Sequence, residues 1–144
     1  MTPFRYLLRV RYSECDAQGI VFNARWADYV DIAVGEYSRA LFGSVDPAVT
    51  GIDWKLVKQT VEWKASARYD DILDCRVSTI RVGTTSFTIA TELHRFNGPL
   101  LATVETVYVA FDRHGAKTAV ADDYRKALER GAPHVIVDHA AALR

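Results

Sequence analysis

The feature that most constrains the fold is a change in the spacing of the apolar residues. A single long segment with helical spacing lies between one segment that alternates apolar and polar residues and several others that do the same. From about Ala24 to Phe42, apolar residues recur at helical spacing on one face and charged residues occupy most of the other. Gly43 follows as a residue suited to end the helix in a left-handed conformation. At 1.5 Å per residue such a helix is about 30 Å long, enough to cross a small sheet.

Most of the remaining chain alternates apolar and polar residues, which is typical of half-buried strands. One such segment precedes the helix and four follow it: Phe4 to Tyr12, then Val57 to Ala67, Leu73 to Val82, Ser86 to Phe96 and Leu100 to Phe111. Asn97-Gly98 indicates a hairpin, and a phase slip between Val77 and Ile80 predicts a β-bulge. Strands joined by tight turns form antiparallel sheets. The sequence therefore predicts an α+β fold, with a five-stranded antiparallel sheet wrapped around one long central helix.

Length and composition restrict the class of protein. A chain of 144 residues suits one domain, so we expect residues 1–144 to form a single domain. Eighteen basic and eighteen acidic residues cancel, which argues against nucleic-acid binding. No stretch has the length and apolarity of a membrane span, and arginines interrupt the N-terminal apolar residues. The histidines and cysteines show no zinc-ligand spacing, so we expect a cytoplasmic protein with free thiols and no metal.

The link between the first strand and the helix carries the candidate chemistry. It contains the carboxylate Asp16, then Gly19, which permits a tight turn, and finally Asn23, a good N-cap residue. Free backbone N–H groups and the positive end of the helix dipole point outward at a helix start. A carbonyl group held between these donors and Asp16 would have the minimum equipment for acyl-transfer hydrolysis. An Asp in such a loop more commonly forms an Asx-turn, and the spacing leaves both roles open.

The segment Glu14–Phe22, followed by a polar and aromatic helix, resembles the signature loop of the 4-hydroxybenzoyl-CoA thioesterase family of hot-dog-fold acyl-CoA thioesterases. The resemblance extends to Ala67–Leu73 and Thr85–Phe87, and so covers most of residues 4–112. It implies a hot-dog fold and an acyl-CoA substrate, with no cofactor besides the CoA of the substrate. It also implies a homodimer, or a tetramer of two dimers, with the active site between subunits.

The resemblance also assigns site residues. It maps the family's catalytic carboxylate onto Asp16, acting as a nucleophile or a general base, while a backbone N–H near Asn23 stabilises the oxyanion. Other substrate contacts are expected at the loop and helix start, from Gly19, Ile20, Val21, Phe22 and Trp26. Contacts to the CoA phosphates are expected from Thr85, Ser86, Arg81 or an arginine of the partner subunit. Related hydratases pair their Asp with a nearby His, and the segment Asp16–Ala33 contains none. This absence favours hydrolysis by a lone carboxylate.

Two departures from the family pattern affect these expectations. Many members of the family carry His or Tyr at the position of Asn23, and many carry basic residues for the CoA phosphates where this chain reads Gly83-Thr84-Thr85. Two alternatives to an enzyme therefore stay open. One is a non-catalytic acyl-CoA or acyl-carrier-protein binding module, and the other is an assembly domain in which Asp16 only caps the loop.

Overall fold

The computed structural model describes residues 2–144. Its elements, in chain order, are β1 Phe4–Arg9, a 3₁₀ turn Tyr12–Glu14, α1 Arg25–Phe42, α2 Pro47–Thr50, β2 Asp53–Trp63, β3 Ile72–Val82, β4 Ser86–Arg95, β5 Leu100–Phe111, α3 Asp122–Arg130 and β6 Ile136–Asp138. The predicted order of one strand, one long helix and four strands is confirmed. Gly43 ends α1 at φ 77° and donates its N–H to the carbonyl of Arg39, as its position predicted.

The strands form one sheet in the order β2-β5-β4-β3-β1-β6. Every neighbouring pair is antiparallel except β1 and β6, which are parallel. The expected five strands are therefore wrong in number, because β6 adds a sixth. Its three residues, Ile136–Asp138, are too few to produce a recognisable alternation in the sequence.

Two strand boundaries also differ from the expectation, and one irregularity matches it. β1 ends at Arg9 rather than Tyr12, because the chain turns into the 3₁₀ segment. β2 begins at Asp53 and ends at Trp63, the last residue in regular register with β5, although the alternation in the sequence continues to Ala67. The bulge predicted in β3 is confirmed by a register shift between Thr79 and Arg81.

Helix α1 packs its apolar face against one face of the sheet. The buried side chains that it contributes to the core are Trp26, Tyr29, Val30, Ala33, Val34, Tyr37 and Leu41. They meet inward-facing residues of four strands, among them Phe4, Val77, Ile89 and Val104. Over residues 2–144 no helix is long and apolar enough to cross a membrane.

The two edges of the sheet differ in length and in character. β6, at one edge, has three residues, whereas β2, at the other, has eleven. Three large apolar side chains of β2 are exposed: Leu56 at 46%, Val57 at 57% and Trp63 at 51%. A long edge strand with exposed apolar side chains is a typical site for pairing with another strand.

Candidate active site

The loop Cys15–Val21, which follows the 3₁₀ turn, is a short closed turn that presents Asp16. Its first and last residues form an antiparallel bridge. The Asp16 N–H donates to the Ile20 carbonyl at 2.9 Å, and the Gly19 N–H donates to the Asp16 carbonyl at 3.0 Å. Gly19 has φ 76°, a left-handed conformation in which glycine is favoured. These bonds fix the backbone that carries the Asp16 carboxylate.

Asp16 is half-buried, and its two carboxylate oxygens lie in different environments. Oδ1 accepts the Gln18 N–H at 2.8 Å, which is the Asx-turn that the loop sequence suggested. Oδ2 accepts no hydrogen bond from any residue that the structure describes. The turn therefore occupies one oxygen and leaves the other available.

Helix α1 begins shortly after this loop in the chain. Arg25 is the first residue of α1, and Ala24 is the N-cap, with no side-chain capping bond. The expectation that Asn23 caps the helix is wrong, because Asn23 lies one residue before the cap, inside a turn in which the Arg25 N–H donates to the Phe22 carbonyl at 2.9 Å. Within residues 2–144 the N–H groups of Asn23 and Ala24 have no backbone acceptor. Two N–H donors without a backbone acceptor are thus present at the positive end of α1.

We predict that Asn23→Ala leaves the free energy of unfolding within about 0.5 kcal/mol of the parent, since the exposed side chain caps nothing. The backbone N–H at this position is unchanged, so hydrolytic activity should also persist. Thermal unfolding and steady-state kinetics of the variant check both outcomes. A loss near 1 kcal/mol, typical of a lost N-cap, would contradict the assignment of Ala24 as the cap.

The other residues expected at the loop and helix start divide into two groups. Gly19 and Phe22 are exposed and Ile20 is half-buried, so these three lie at or near the surface. Val21 and Trp26 are only 3% and 2% exposed and belong to the hydrophobic core. In this chain the side chains of Val21 and Trp26 pack in the core and so anchor the loop and the helix start to it.

Arg81, Thr85 and Ser86 lie at the opposite end of the sheet from Asp16. The loop follows β1, whose last residue, Arg9, pairs with Ile72 at the beginning of β3. Arg81 is nine residues further along β3, which at about 3.3 Å per residue corresponds to roughly 30 Å. One chain therefore does not bring these three residues to Asp16.

A groove of about 460 Å³ opens between α1 and the edge of the sheet formed by β2. Its lining is apolar and aromatic with a polar rim and includes Asp31, Val34, Gly35, Trp54, Leu56 and Tyr108. Burial, and then the nearby charge of Asp31, raises the pKa of Tyr108 to about 12, so its hydroxyl stays protonated at neutral pH. The groove lies towards the Trp54 end of β2. The loop with Asp16 instead contacts Ala67 and Arg68, beyond the Trp63 end.

The sequence offered no role for Glu14, yet the structure makes it a buried link between the loop and the helix. Only 6% of Glu14 is exposed, and its carboxylate accepts hydrogen bonds from Arg11 and from the hydroxyl of Tyr29. A charged residue at the first position of the motif was the available signal. Its partner on α1, fifteen residues away, has no signal in the spacing.

The two cysteines and a metal site are the remaining candidates for a reactive centre. Cys15 and Cys75 are both free, as expected, and burial raises the pKa of the Cys75 thiol. In the part of the chain that the structure describes, no three His, Cys, Asp or Glu side chains converge to hold a metal ion.

Comparisons with known proteins agree with this architecture. The family model described as "Thioesterase superfamily" matches residues 18–102. The acyl-CoA thioester hydrolase YbgC of Escherichia coli O157:H7 is 29% identical over 112 residues, which cover 77% of this chain and 84% of that protein.

Solved structures match over nearly the whole chain. A thioesterase superfamily protein from Jannaschia sp. CCS1 superposes with a TM-score of 0.83 at 18% identity, covering 91% of this chain and 94% of that one. A 1,4-dihydroxy-2-naphthoyl-CoA thioesterase from Synechocystis gives a TM-score of 0.78 at 19% identity, covering 87% and 94%. At these identities the structural matches establish the fold.

Proposed function

Because the chain belongs to the thioesterase superfamily, we propose that it hydrolyses an acyl-CoA thioester to a carboxylic acid and free CoA. One observation carries the proposal. An Asp16 oxygen without a protein partner lies on a closed loop that leads into two open N–H groups at the start of α1. The similarity to a protein named acyl-CoA thioester hydrolase supports CoA as the thiol of the substrate.

The mechanism uses the two sides of this site. The thioester carbonyl accepts hydrogen bonds from the N–H groups of Asn23 and Ala24, which stabilise negative charge as it develops on the carbonyl oxygen. Asp16 either attacks the carbonyl carbon, expelling the CoA thiolate and leaving an anhydride that water hydrolyses, or removes a proton from the attacking water. A thiolate leaves readily, so one carboxylate suffices without a dedicated proton donor.

We further propose that a second copy of the chain completes the site. Arg81, about 30 Å from the loop along β3 of its own chain, cannot contact a substrate there. If two β2 edges pair antiparallel about a two-fold axis, the directions of all strands reverse between copies. The β3–β4 turn of one copy then comes to the end of the sheet where the other copy carries Asp16. Arg81, Thr85 and Ser86 of the partner subunit would thereby reach the CoA phosphates.

The edge of β2 supports this assembly. The exposed Leu56, Val57 and Trp63 lie on an eleven-residue strand whose outer edge is unpaired in the described chain. The groove beside Leu56 adjoins the same edge, so pairing of two copies would cover it as well. Burial of this apolar surface favours association.

A panel of aryl-CoA and alkyl-CoA thioesters, with release of free thiol as the readout, tests the proposed function. We expect hydrolysis of at least one class, and the relative kcat/KM values then identify the preferred acyl group. Binding of acyl-CoA without thiol release from any member of the panel would instead identify a non-catalytic binding module.

A further inference from the structure

A buried carboxylate two residues before Asp16 is saturated with hydrogen bonds. Oε1 of Glu14 accepts the Arg11 backbone N–H at 2.7 Å and the Tyr29 hydroxyl at 2.8 Å. Oε2 accepts Nε and Nη2 of Arg11 at 2.9 and 2.7 Å. Glu14 is 6% exposed and Tyr29 is 1% exposed, so the bond between them is shielded from water.

The charge states of Glu14 and Tyr29 strengthen the hydrogen bond between them. Burial alone would raise the pKa of Glu14, but the hydrogen bonds from Arg11 and Tyr29 outweigh burial and hold this pKa below its usual range. Burial, and then the bond to Glu14, raises the pKa of the Tyr29 hydroxyl. At neutral pH a protonated phenol therefore donates to an ionised carboxylate, and such charge-assisted bonds are about twice as strong as neutral ones.

Glu14 also joins the two ends of the loop through its backbone. The backbone carbonyl of Glu14 accepts the Phe22 N–H at 2.9 Å, just before the two open N–H groups. Tyr29 lies one turn into α1, four residues after Arg25. Within residues 2–144, its hydroxyl makes the only side-chain hydrogen bond from α1 to the segment 11–22. The contact between Tyr29 and Glu14 thus ties the first turn of α1 to the residue two positions before Asp16.

We propose that Tyr29, acting through Glu14, is a positioning residue for thioester hydrolysis: it fixes the distance between Asp16 and the N–H groups at the start of α1. This inference rests on the proposed function, in which both groups contact the same carbonyl. A displacement of about 1 Å between reacting groups can lower a rate about a hundredfold. Loss of the contact should therefore lower kcat and leave substrate affinity nearly unchanged.

The test compares Tyr29→Phe with a matched control on the same helix. Tyr37 is likewise 1% exposed, and its hydroxyl makes one side-chain hydrogen bond, to Thr79 Oγ1 at 2.9 Å. Tyr37→Phe therefore also removes one buried hydroxyl bond from α1, but far from the loop. We expect Tyr29→Phe to lower kcat about tenfold or more with KM within about twofold of the parent. Tyr37→Phe should leave both constants unchanged, at a temperature where melting curves show each variant folded.

A second variant tests whether Tyr29 acts through Glu14. Glu14→Met removes both acceptor oxygens, so it breaks the same link from the other side and reports on it even where Tyr29→Phe does not fold. If the two residues act together, adding Tyr29→Phe to Glu14→Met should change kcat less than about twofold further. Multiplicative losses in the double variant would mean that Tyr29 acts independently of Glu14.

Two further outcomes overturn the inference while leaving the proposed function intact. One is a Tyr29→Phe variant with parental kcat, and the other is an equal fall of kcat in Tyr29→Phe and Tyr37→Phe. A parent protein that hydrolyses no acyl-CoA thioester overturns the proposed function itself, and this inference with it. The parent's activity and the ratio between the two variants therefore separate the two failures.

Discussion

Asp16→Asn is expected to lower kcat for thioester hydrolysis by about a hundredfold or more, the scale of losing general-base catalysis. The amide is neither basic nor nucleophilic, so either role proposed for the carboxylate is lost. Its carbonyl oxygen can still accept the Gln18 N–H, so the Asx-turn at Asp16 should survive. The melting temperature should accordingly change little. Thiol-release kinetics and thermal unfolding of the same preparation check both parts.

Asp70→Asn is the matched control for this experiment. Asp70 is an exposed carboxylate in the neighbouring loop, where it pairs with Arg9 at 3.3 Å. Its φ of 71° is a conformation that asparagine tolerates well. The control should hydrolyse acyl-CoA at the parental rate. If Asp16→Asn instead melts several degrees lower and keeps its activity, Asp16 serves only the turn.

The second large effect is expected from the edge of the sheet. Val57→Lys places a charge on an edge-strand side chain that is 57% exposed in the single chain, so the fold of the chain should tolerate it. In a dimer paired through β2, a lysine on this edge strand would lie at the interface, where burial of its charge disfavours association. We expect a monomer whose kcat/KM is more than tenfold lower. The loss follows because the proposed contacts from the partner to the CoA phosphates would each contribute about 1.5–3 kcal/mol.

Sedimentation at micromolar concentration, together with kinetics, checks this outcome. Val135→Lys is the control, because Val135 is 39% exposed just before β6, at the opposite edge of the sheet. It should leave both assembly and activity unchanged. A monomeric Val57→Lys variant with full activity would show that one copy of the chain holds the complete site.

Most of the fold was predictable because periodicity is a local property. The seven buried apolar side chains of α1 repeat at helical spacing, and the alternation in β3, β4 and β5 identifies the strands that carry the core. The bulge in β3 was predictable for the same reason, since one extra residue shifts the phase of the alternation. Short or boundary features carry too few residues for a period, which explains the missed β6 and the misplaced helix cap.

The candidate site divides in the same way. Asp16, Gly19 and the start of α1 lie within ten residues of one another, so a motif can record their order, and the sequence by itself determined which carboxylate and which helix end to consider. The free oxygen of Asp16, the hydrogen bond from Tyr29 to Glu14 and the separation of Arg81 from the loop were decided only by the tertiary structure. Each depends on how the helix packs against the strands in the folded chain. Neither composition nor spacing specifies the distance between residues that come into contact only through this packing.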